Sequence, residues 1–351
     1  MFGQVVFTVG SQSYGWEDVG LAAVLWGDWA TMEAEVREGL ACLERAEGTD
    51  EDLDAEVSAA ADEFRYARDL LSAEETEAWL NQWGLSVESW RDYLRRAVLR
   101  GRWTADLEGI VRASTVTVED VAEVILVDGI CGGHLARWSW KLAGRVAAYE
   151  AEGNENDRGH GAETEGVQAL LAAFPATVTT EGWYGLPPAT CRDKLALLAR
   201  VEASLGRFQR RVLTPAAIHD AVNLHRLDWM RLHYRSLTFP DEQVAREAAW
   251  CVREDGEALG EVARDAKTTV AEERLYLDEV DPAARDVFQS AQAGELIGPV
   301  PIDGAFALYH VLHKVLPTPD DPGVRQRAEA DVRRRAVERE INNRVRWHRR
   351  L

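Results

Sequence analysis

The chain has 351 residues, of which 46% are hydrophobic and 28% charged, so it is long enough for two ordinary globular domains. Its formal net charge of -20 argues against nucleic acid or an anionic membrane as partner for the surface as a whole. The four cysteines form no close pair, and no apolar run approaches the ~20 residues that a membrane span needs. Because the first residues also lack the basic region of a secretory signal, we expect a cytoplasmic protein.

The first half of the chain is mainly helical after one short strand. Residues 4–9 are a β-branched run that stops at a glycine and predicts a strand. A long helical pattern then runs over 16–47, with acidic residues in its first turn. Ser72 and Glu75 have the spacing of a capping box, which predicts a helix start. The other helical segments of this half are 50–71, one that begins at Ser86, 117–126 and 135–151.

A change of composition marks the middle of the chain. Residues 153–166 are polar, glycine-rich and without periodicity, which is typical of a linker or a long loop. Helical patterns return in two segments, 167–174 and 191–208. Thr214 followed by Pro215 is a strong helix start, and the pattern predicts that this helix continues to about His233.

The last third alternates short strands and short helices. The predicted elements are a strand at 237–239, helices at 240–254 and 257–266, a strand at 274–277, a helix at 283–291 and a strand at 306–315. Beyond Pro322 the chain is predicted to form one long arginine-rich helix that ends at Trp347. An acid-rich stretch at 44–77 could offer this basic helix a partner within the same chain.

The strand–helix–helix–strand–helix–strand order of residues 237–315 resembles the parvulin domain of SurA/PrsA-like (PpiC-type) peptidyl-prolyl isomerases. Three motifs carry the resemblance. Residues 256–263, GEALGEVA, are similar to the family's GEDFAELA helix, and residues 294–300, GELIGPV, follow its GEISGPV motif. Residues 306–311 fall where the family has its final GYHIIKV strand.

The start of the chain, residues 5–19, also resembles SurA-like proteins, which open with a strand, a glycine turn and an acidic helix start. In that family the C-terminal helix returns to the N-terminal domain. The resemblance therefore implies an α+β fold with a mainly helical SurA-like N-terminal domain, a parvulin-like insert and a returning C-terminal helix. The implied divisions are a helical domain at 1–152, a linker or loop at 153–166, a helical segment at 167–231, a parvulin-like domain at 232–316 and an arginine-rich helix at 317–351.

The positions that surround the prolyl ring in parvulin isomerases differ in this chain. The two facing histidines of the family fall on Ser236 and Ala307. The family's pocket methionine and phenylalanines fall on Val280, Ala284 and Gln289. A one-residue slip would return Phe288 to the pocket. The catalytic residues are therefore unknown, and the resemblance implies a peptide-binding site made of Ser236, Phe239, Val280, Ala284, Phe288, Gln289, Ala307 and His310.

His233 and His310 each lie three residues from an expected histidine position. An odd offset along a strand points the side chain to the opposite face of the sheet. These departures favour binding over catalysis, because a sheet with a shallow apolar groove still suits extended, apolar or proline-containing peptides. We therefore predict a peptide-binding chaperone-like or peptide-maturation accessory protein with a degenerate parvulin domain, an unfolded or precursor peptide as partner, and no cofactor.

Two alternatives stay open. The first is an active peptidyl-prolyl cis-trans isomerase with a rearranged pocket that uses His310 or Phe288. The second is an interaction protein that docks an acidic partner through its C-terminal helix, whose binding would weaken with salt. Whether the chain is an enzyme is not decided by the sequence.

The sequence motifs give little support for a metal site or a nucleotide site. Cys131 and His134 have a Cys-x-x-His spacing, but no second ligand pair follows, which favours a structural turn. The 154–160 loop is rich in oxygen ligands but lacks the register of an EF-hand. Phosphate-binding and dinucleotide-binding glycine motifs do not occur. The sequence therefore predicts neither a metal nor a nucleotide cofactor.

Overall fold

The computed structural model describes residues 4–47, 53–153, 168, 178 and 180–348. The chain forms two compact units, Met1–Arg210 together with Val337–Leu351 (unit 1) and Arg211–Ala336 (unit 2). The predicted linker at 153–166 lies outside the described residues except for Gly153, as does the 154–160 loop. Helices with two small antiparallel sheets confirm the α+β fold class.

Unit 1 begins with the hairpin of β1 and β2 and continues with helices. Its elements are β1 Val5–Val9, β2 Gln12–Gly15, α1 Trp16–Leu25, α2 Asp28–Glu47, α3 Asp54–Tyr66, α4 Ala73–Trp83, α5 Val87–Arg102, α6 Leu107–Ala113, α7 Val118–Cys131, α8 His134–Glu152 and α9 Pro188–Val212. In the described parts of the chain, no helix is both long and apolar enough to cross a membrane.

Unit 2 alternates strands and helices. Its elements are α10 Pro215–Leu224, β3 Arg231–Phe239, α11 Glu242–Arg253, α12 Leu259–Asp265, β4 Ala271–Tyr276, α13 Pro282–Ser290, β5 Leu296–Ile302 and β6 Ala305–Val315. The helix α14, Pro322–Arg344, follows, and the short strand β7, Val345–Trp347, belongs to unit 1.

Local capping chemistry sets several helix starts where the sequence predicts them. The Ser72 hydroxyl accepts a hydrogen bond from the Glu75 amide at 3.1 Å, and the Glu75 carboxylate accepts one from the Ser72 amide at 3.0 Å. Thr214 caps α10 by accepting from the amide of Ala217 at 3.1 Å, with Pro215 in the first turn. These caps satisfy amide groups that have no partner inside the helix.

Three predicted helices end differently. The prediction of one continuous helix over 16–47 is wrong. Two helices, α1 and α2, are separated at Gly27, whose φ of 77° is accessible to glycine without strain. The helix predicted to reach His233 stops at Leu224, and His233 itself lies in strand β3. The arginine-rich helix ends at Arg344 rather than Trp347, because its last residues pair with a strand.

The small sheet of unit 1 has the strand order β2-β1-β7, with both neighbours antiparallel to β1. Phe7 of β1 lies between Tyr14, at 4.9 Å between ring centroids, and Trp347 of β7, at 5.4 Å. The end of α14 packs nearby on α8, where a β-carbon at Gly144 would meet a Val337 methyl carbon at 2.6 Å. The chain therefore returns to unit 1 through the end of α14, as predicted for its C-terminal helix, and through strand β7, which the sequence does not predict.

The sheet of unit 2 has four antiparallel strands in the order β4-β3-β6-β5. One face carries an apolar cluster with α13, and the opposite face carries another with α11 and α12. The successive residues of β3 alternate between these clusters: Tyr234 belongs to the first, and Leu237 and Phe239 belong to the second. The register of β3 therefore decides which side chains share a face with α13.

Candidate functional site

The two positions aligned with the family histidines lie on one face of the unit 2 sheet. Ser236 of β3 is directly opposite Tyr309 of β6, and Thr238 is opposite Ala307. Directly opposed residues in an antiparallel pair present their side chains to the same face. We call this surface, which α13 partly covers, the α13 face. It carries a serine and an alanine where the family has its two histidines.

Three aromatic rings fill the α13 face. The ring centroids of Tyr234 and Phe288 are 4.8 Å apart, those of Phe288 and Tyr309 are 4.9 Å apart, and those of Tyr234 and Tyr309 are 5.4 Å apart. Phe288 is 0% exposed, and the two tyrosines are 4% and 8% exposed. At this packing there is no room among the rings for another ring the size of a prolyl side chain. We call these residues the aromatic triad.

Both ends of α13 are fixed, which places Phe288 in the triad. At the start, the Asp281 carboxylate accepts a hydrogen bond from the Ala283 amide at 2.8 Å. At the end, the Lys314 ammonium donates to the carbonyls of Phe288 at 2.8 Å and Ala291 at 2.7 Å. A cation that binds the last carbonyls of a helix also suits the negative end of its dipole.

The polar groups of the triad are not suited to proton transfer at neutral pH. The Tyr234 hydroxyl donates a hydrogen bond to the Glu273 carboxylate at 2.7 Å, and burial together with this carboxylate raises the pKa of Tyr234. Burial raises the pKa of Tyr309 to about 12. Both phenols therefore stay protonated near pH 7, far from the range in which a general acid or base works well.

The predicted site residues divide into those that meet on the α13 face and those that do not. Val280, Ala284, Phe288 and Ala307 lie in one apolar cluster, with Ser236 on the same face. Phe239 lies in the cluster of the opposite face, and His310 is opposite Arg235, on that same opposite face. Gln289 is exposed on α13.

The histidine of β3 also lies away from the α13 face. The Nε2 atom of His233 is 2.8 Å from the Glu272 carboxylate, which also accepts a hydrogen bond from Arg235 at 2.8 Å. Hydrogen bonds from Arg235 and His233 lower the pKa of Glu272. This polar group lies on the face of the sheet opposite to Ser236 and Ala307.

The two edges of the sheet differ in what they offer to an extended chain. Strand β5 carries Pro299 and Pro301, and Arg253 donates hydrogen bonds to the carbonyls of Leu296 and Gly298 at 3.0 Å. Strand β4 has no proline, and its residues 271–274 are exposed. An unprotected edge strand directs every second backbone amide and carbonyl away from the sheet. Strand β4 is therefore the edge to which another strand can pair.

Tyr234 and Tyr309 are the site residues that the sequence reasoning missed. Both lie two residues from a residue already singled out, Tyr234 before Ser236 and Tyr309 after Ala307. Side chains two apart on a strand share a face, so the period of two was the signal that could have found them.

Two solved structures are similar to parts of this chain. No protein-family model matches the chain, and no curated protein matches it. Among solved structures, the chain is similar to the peptidylprolyl isomerase PrsA from Bacillus anthracis, with a TM-score of 0.31 and 11% identity over 58% of this chain and 95% of that one. It is also similar to PrsA from Bacillus subtilis, with a TM-score of 0.23 and 12% identity over 63% of this chain and 86% of that one.

Proposed function

We propose that the chain is a peptide-binding, chaperone-like or peptide-maturation accessory protein whose unit 2 is a degenerate parvulin-like domain without isomerase activity. One observation carries the proposal: Tyr234, Phe288 and Tyr309 fill the face on which an isomerase of the resembled family would hold a prolyl ring. Ser236 and Ala307 occupy the positions of the resembled family's two histidines, which also favours a domain without isomerase activity. With this face filled, the domain can still bind a peptide at another part of its sheet without acting on a prolyl bond.

The client peptide would bind at the edge of β4 as an added strand. This mode gains affinity from backbone hydrogen bonds and accepts many sequences, as an unfolded or precursor peptide requires. On β4, Glu273 bonds the neutral Tyr234 hydroxyl, whereas Glu272 is already paired with Arg235 and His233, and the whole chain carries a net charge of -20. We therefore expect extended peptides with basic side chains to bind best, proline-containing ones included, provided that the prolines leave alternate backbone amides free.

The test is a single NMR titration with a set of basic Xaa-Pro peptides, because it reports binding and cis-trans exchange in the same spectra. The proposal expects shifted peptide signals with no faster exchange between the cis and trans forms. A matched peptide with alternate backbone amides methylated should lose binding, since it cannot pair with β4. Catalysed exchange would contradict the proposal that the chain lacks isomerase activity. Equal binding of the methylated peptide would contradict the proposal that peptides pair with β4.

The isomerase alternative predicts catalysed exchange that alanine at Phe288 or His310 abolishes. The geometry favours it less, because Phe288 is fully buried and His310 lies on the opposite face from Ser236.

The acidic-partner alternative needs free arginines on α14. Arg327 is bonded to Asp278 at 2.8 Å and to Glu279, and Arg335 is 2.6 Å from Asp331. These acids reduce the positive charge that the helix offers to a partner.

We also propose a cytoplasmic location. All four cysteines lie in the described part of the chain and are free thiols, as expected in a reducing compartment. Cell fractionation tests this, and recovery of the protein outside the cytoplasmic fraction would refute it.

A further inference from the structure

Unit 1 contains a polar cavity that is separate from the proposed peptide site. Its volume is about 330 Å³, within the usual range for small-ligand sites. Helices α2, α5 and α7 and the first turns of α8 surround it. Its charged and titratable lining groups include Glu35, Arg96, Arg100, Asp128, His134 and Arg137.

A buried ion pair forms one wall. Arg96 of α5 donates to both carboxylate oxygens of Asp128 of α7, at 2.5 and 3.3 Å. Gly39 of α2 lets the helices approach there, because a β-carbon at residue 39 would be 3.2 Å from the Arg96 β-carbon. The guanidinium of Arg96 is therefore held in place and already engaged by a carboxylate.

The hydrogen bonds of His134 fix its protonation. Arg137 can only donate, and one of its guanidinium nitrogens lies 2.9 Å from Nδ1 of His134, so Nδ1 is the acceptor. The other ring nitrogen, Nε2, is 3.1 Å from the Glu35 carboxylate and therefore carries the proton. Burial lowers the pKa of His134, which agrees with a neutral ring. His134 is a neutral bridge between a cation and an anion.

Among the described residues that line the cavity, Arg137 is the cation that lacks an acidic partner. Arg96 holds Asp128, and Arg100 donates to Glu38 at 2.7 Å. Arg137 contacts only a neutral imidazole and, at 3.3 Å, the carbonyl of Gly132; among the described residues no carboxylate pairs with it. A planar guanidinium in this situation is suited to a bidentate bond with an incoming carboxylate.

We propose that this cavity binds the carboxylate of a small amphipathic ligand, with Arg137 as its main partner. The side chains of Met32, Val36 and Ala97 line the same cavity and contact the hydrocarbon part of the ligand. The carboxylate can come from a free organic acid or from the C-terminus of a peptide. This inference does not depend on the proposed function of unit 2.

Isothermal titration of the full chain tests the proposal with four probes: benzoate, benzamide, N-acetyl-Ala-Ala-Phe and its C-terminal amide. Saturable binding of a carboxylate with at least tenfold weaker binding of its matched amide is the expected result. Tighter binding of benzoate would identify a free acid as the ligand, and tighter binding of the tripeptide would identify a peptide C-terminus.

Arg137→Gln should weaken the binding of the preferred carboxylate at least tenfold. Arg91→Gln, at an exposed arginine of α5 outside the cavity, should leave it unchanged. Arg137 is itself exposed, so the variant is expected to fold. Failure of both carboxylates to bind, or equal affinity of the Arg137→Gln chain and the parent, would overturn the proposal.

Discussion

Arg96 and Asp128 meet inside unit 1 at 2.5 Å and link α5 to α7 through a pair that is almost entirely removed from water. Burial raises the pKa of the Asp128 carboxyl, and the hydrogen bond and charge of Arg96 oppose this rise. Each charge thus lowers the free-energy cost of burying the other. The loss of one partner leaves the second charge buried and uncompensated.

Asp128→Leu should therefore lower the free energy of unfolding of unit 1 by about 3–5 kcal/mol. Urea unfolding followed by tryptophan fluorescence measures this change, since unit 1 holds most of the buried tryptophans. The control is Glu108→Gln, at an exposed ion pair with Arg112 on α6, which should change stability by less than about 1 kcal/mol. Similar small effects of the two variants would contradict the prediction.

Phe288→Ala should destabilise unit 2 by about 3–5 kcal/mol, because it removes the fully buried ring of the aromatic triad. Gln289→Ala, at the adjacent exposed position, should change stability by about 0.5 kcal/mol or less. Thermal unfolding of both variants by calorimetry separates the two cases. A small effect of Phe288→Ala would mean that the triad is loosely packed and that the face could accommodate a ligand.

The double variant Ser236→His and Ala307→His tests whether lost histidines alone explain a lack of isomerase activity. We expect no catalysed cis-trans exchange, because Tyr309 and Phe288 still occupy the face. Exchange rates of an Ala-Pro peptide measured by NMR give the answer. Faster exchange in the double variant than in the parent chain would show that the triad moves aside readily.

The stability of unit 1 should decrease as the pH falls below about 6.5. Burial lowers the pKa of His134 in the folded chain, with Arg137 and Arg100 adding to the shift and Glu35 opposing it. The unfolded chain, whose histidine keeps the ordinary value of 6.5, then takes up a proton first. The stabilisation is complete above that pH and is lost as the pH falls toward the lower folded value. Urea unfolding across this range should show a shallower dependence for His134→Gln, and an unchanged slope would refute the assignment.

Trp347→Ala should destabilise unit 1 by about 2 kcal/mol, less than the roughly 3–5 kcal/mol of a fully buried aromatic residue. The Trp347 ring is half-buried and lies 5.4 Å from Phe7 and 4.6 Å from Trp140 between ring centroids. Arg346→Ala, at the exposed neighbour on β7, is the matched control. Equal stability of the two variants by urea unfolding would argue that β7 adds little to the sheet.

The features that the sequence predicted well depend on neighbouring residues. The capping box of Ser72 and Glu75 and the Thr214–Pro215 helix start are encoded within three or four positions, and the structure confirms both. The break at Gly27 was missed because apolar residues continue on both sides of it. A single glycine inside a periodic pattern only weakly indicates a helix end.

The features that the sequence did not predict depend on distant residues. Val345–Trp347 forms a strand because β1, more than 300 positions away, offers it hydrogen bonds. The cavity near His134 likewise combines Glu35, Arg96 and Asp128 from three separate helices, and no local motif records this arrangement. The aromatic triad is an intermediate case: Phe288 is predicted from the sequence, and Tyr234 and Tyr309 follow from the period of two along β3 and β6.

The pairing of β7 with β1 also bears on the order in which the chain acquires its structure. Unit 2 is continuous in sequence, so all of its contacts become available once residue 336 has been synthesised. The three-stranded sheet of unit 1 is complete only once residue 347 has been made, and β1 precedes β7 by more than 300 residues. Until β7 is made, the backbone amides and carbonyls of β1 that later pair with it lack that strand, and an unpaired strand edge in a nascent chain promotes aggregation.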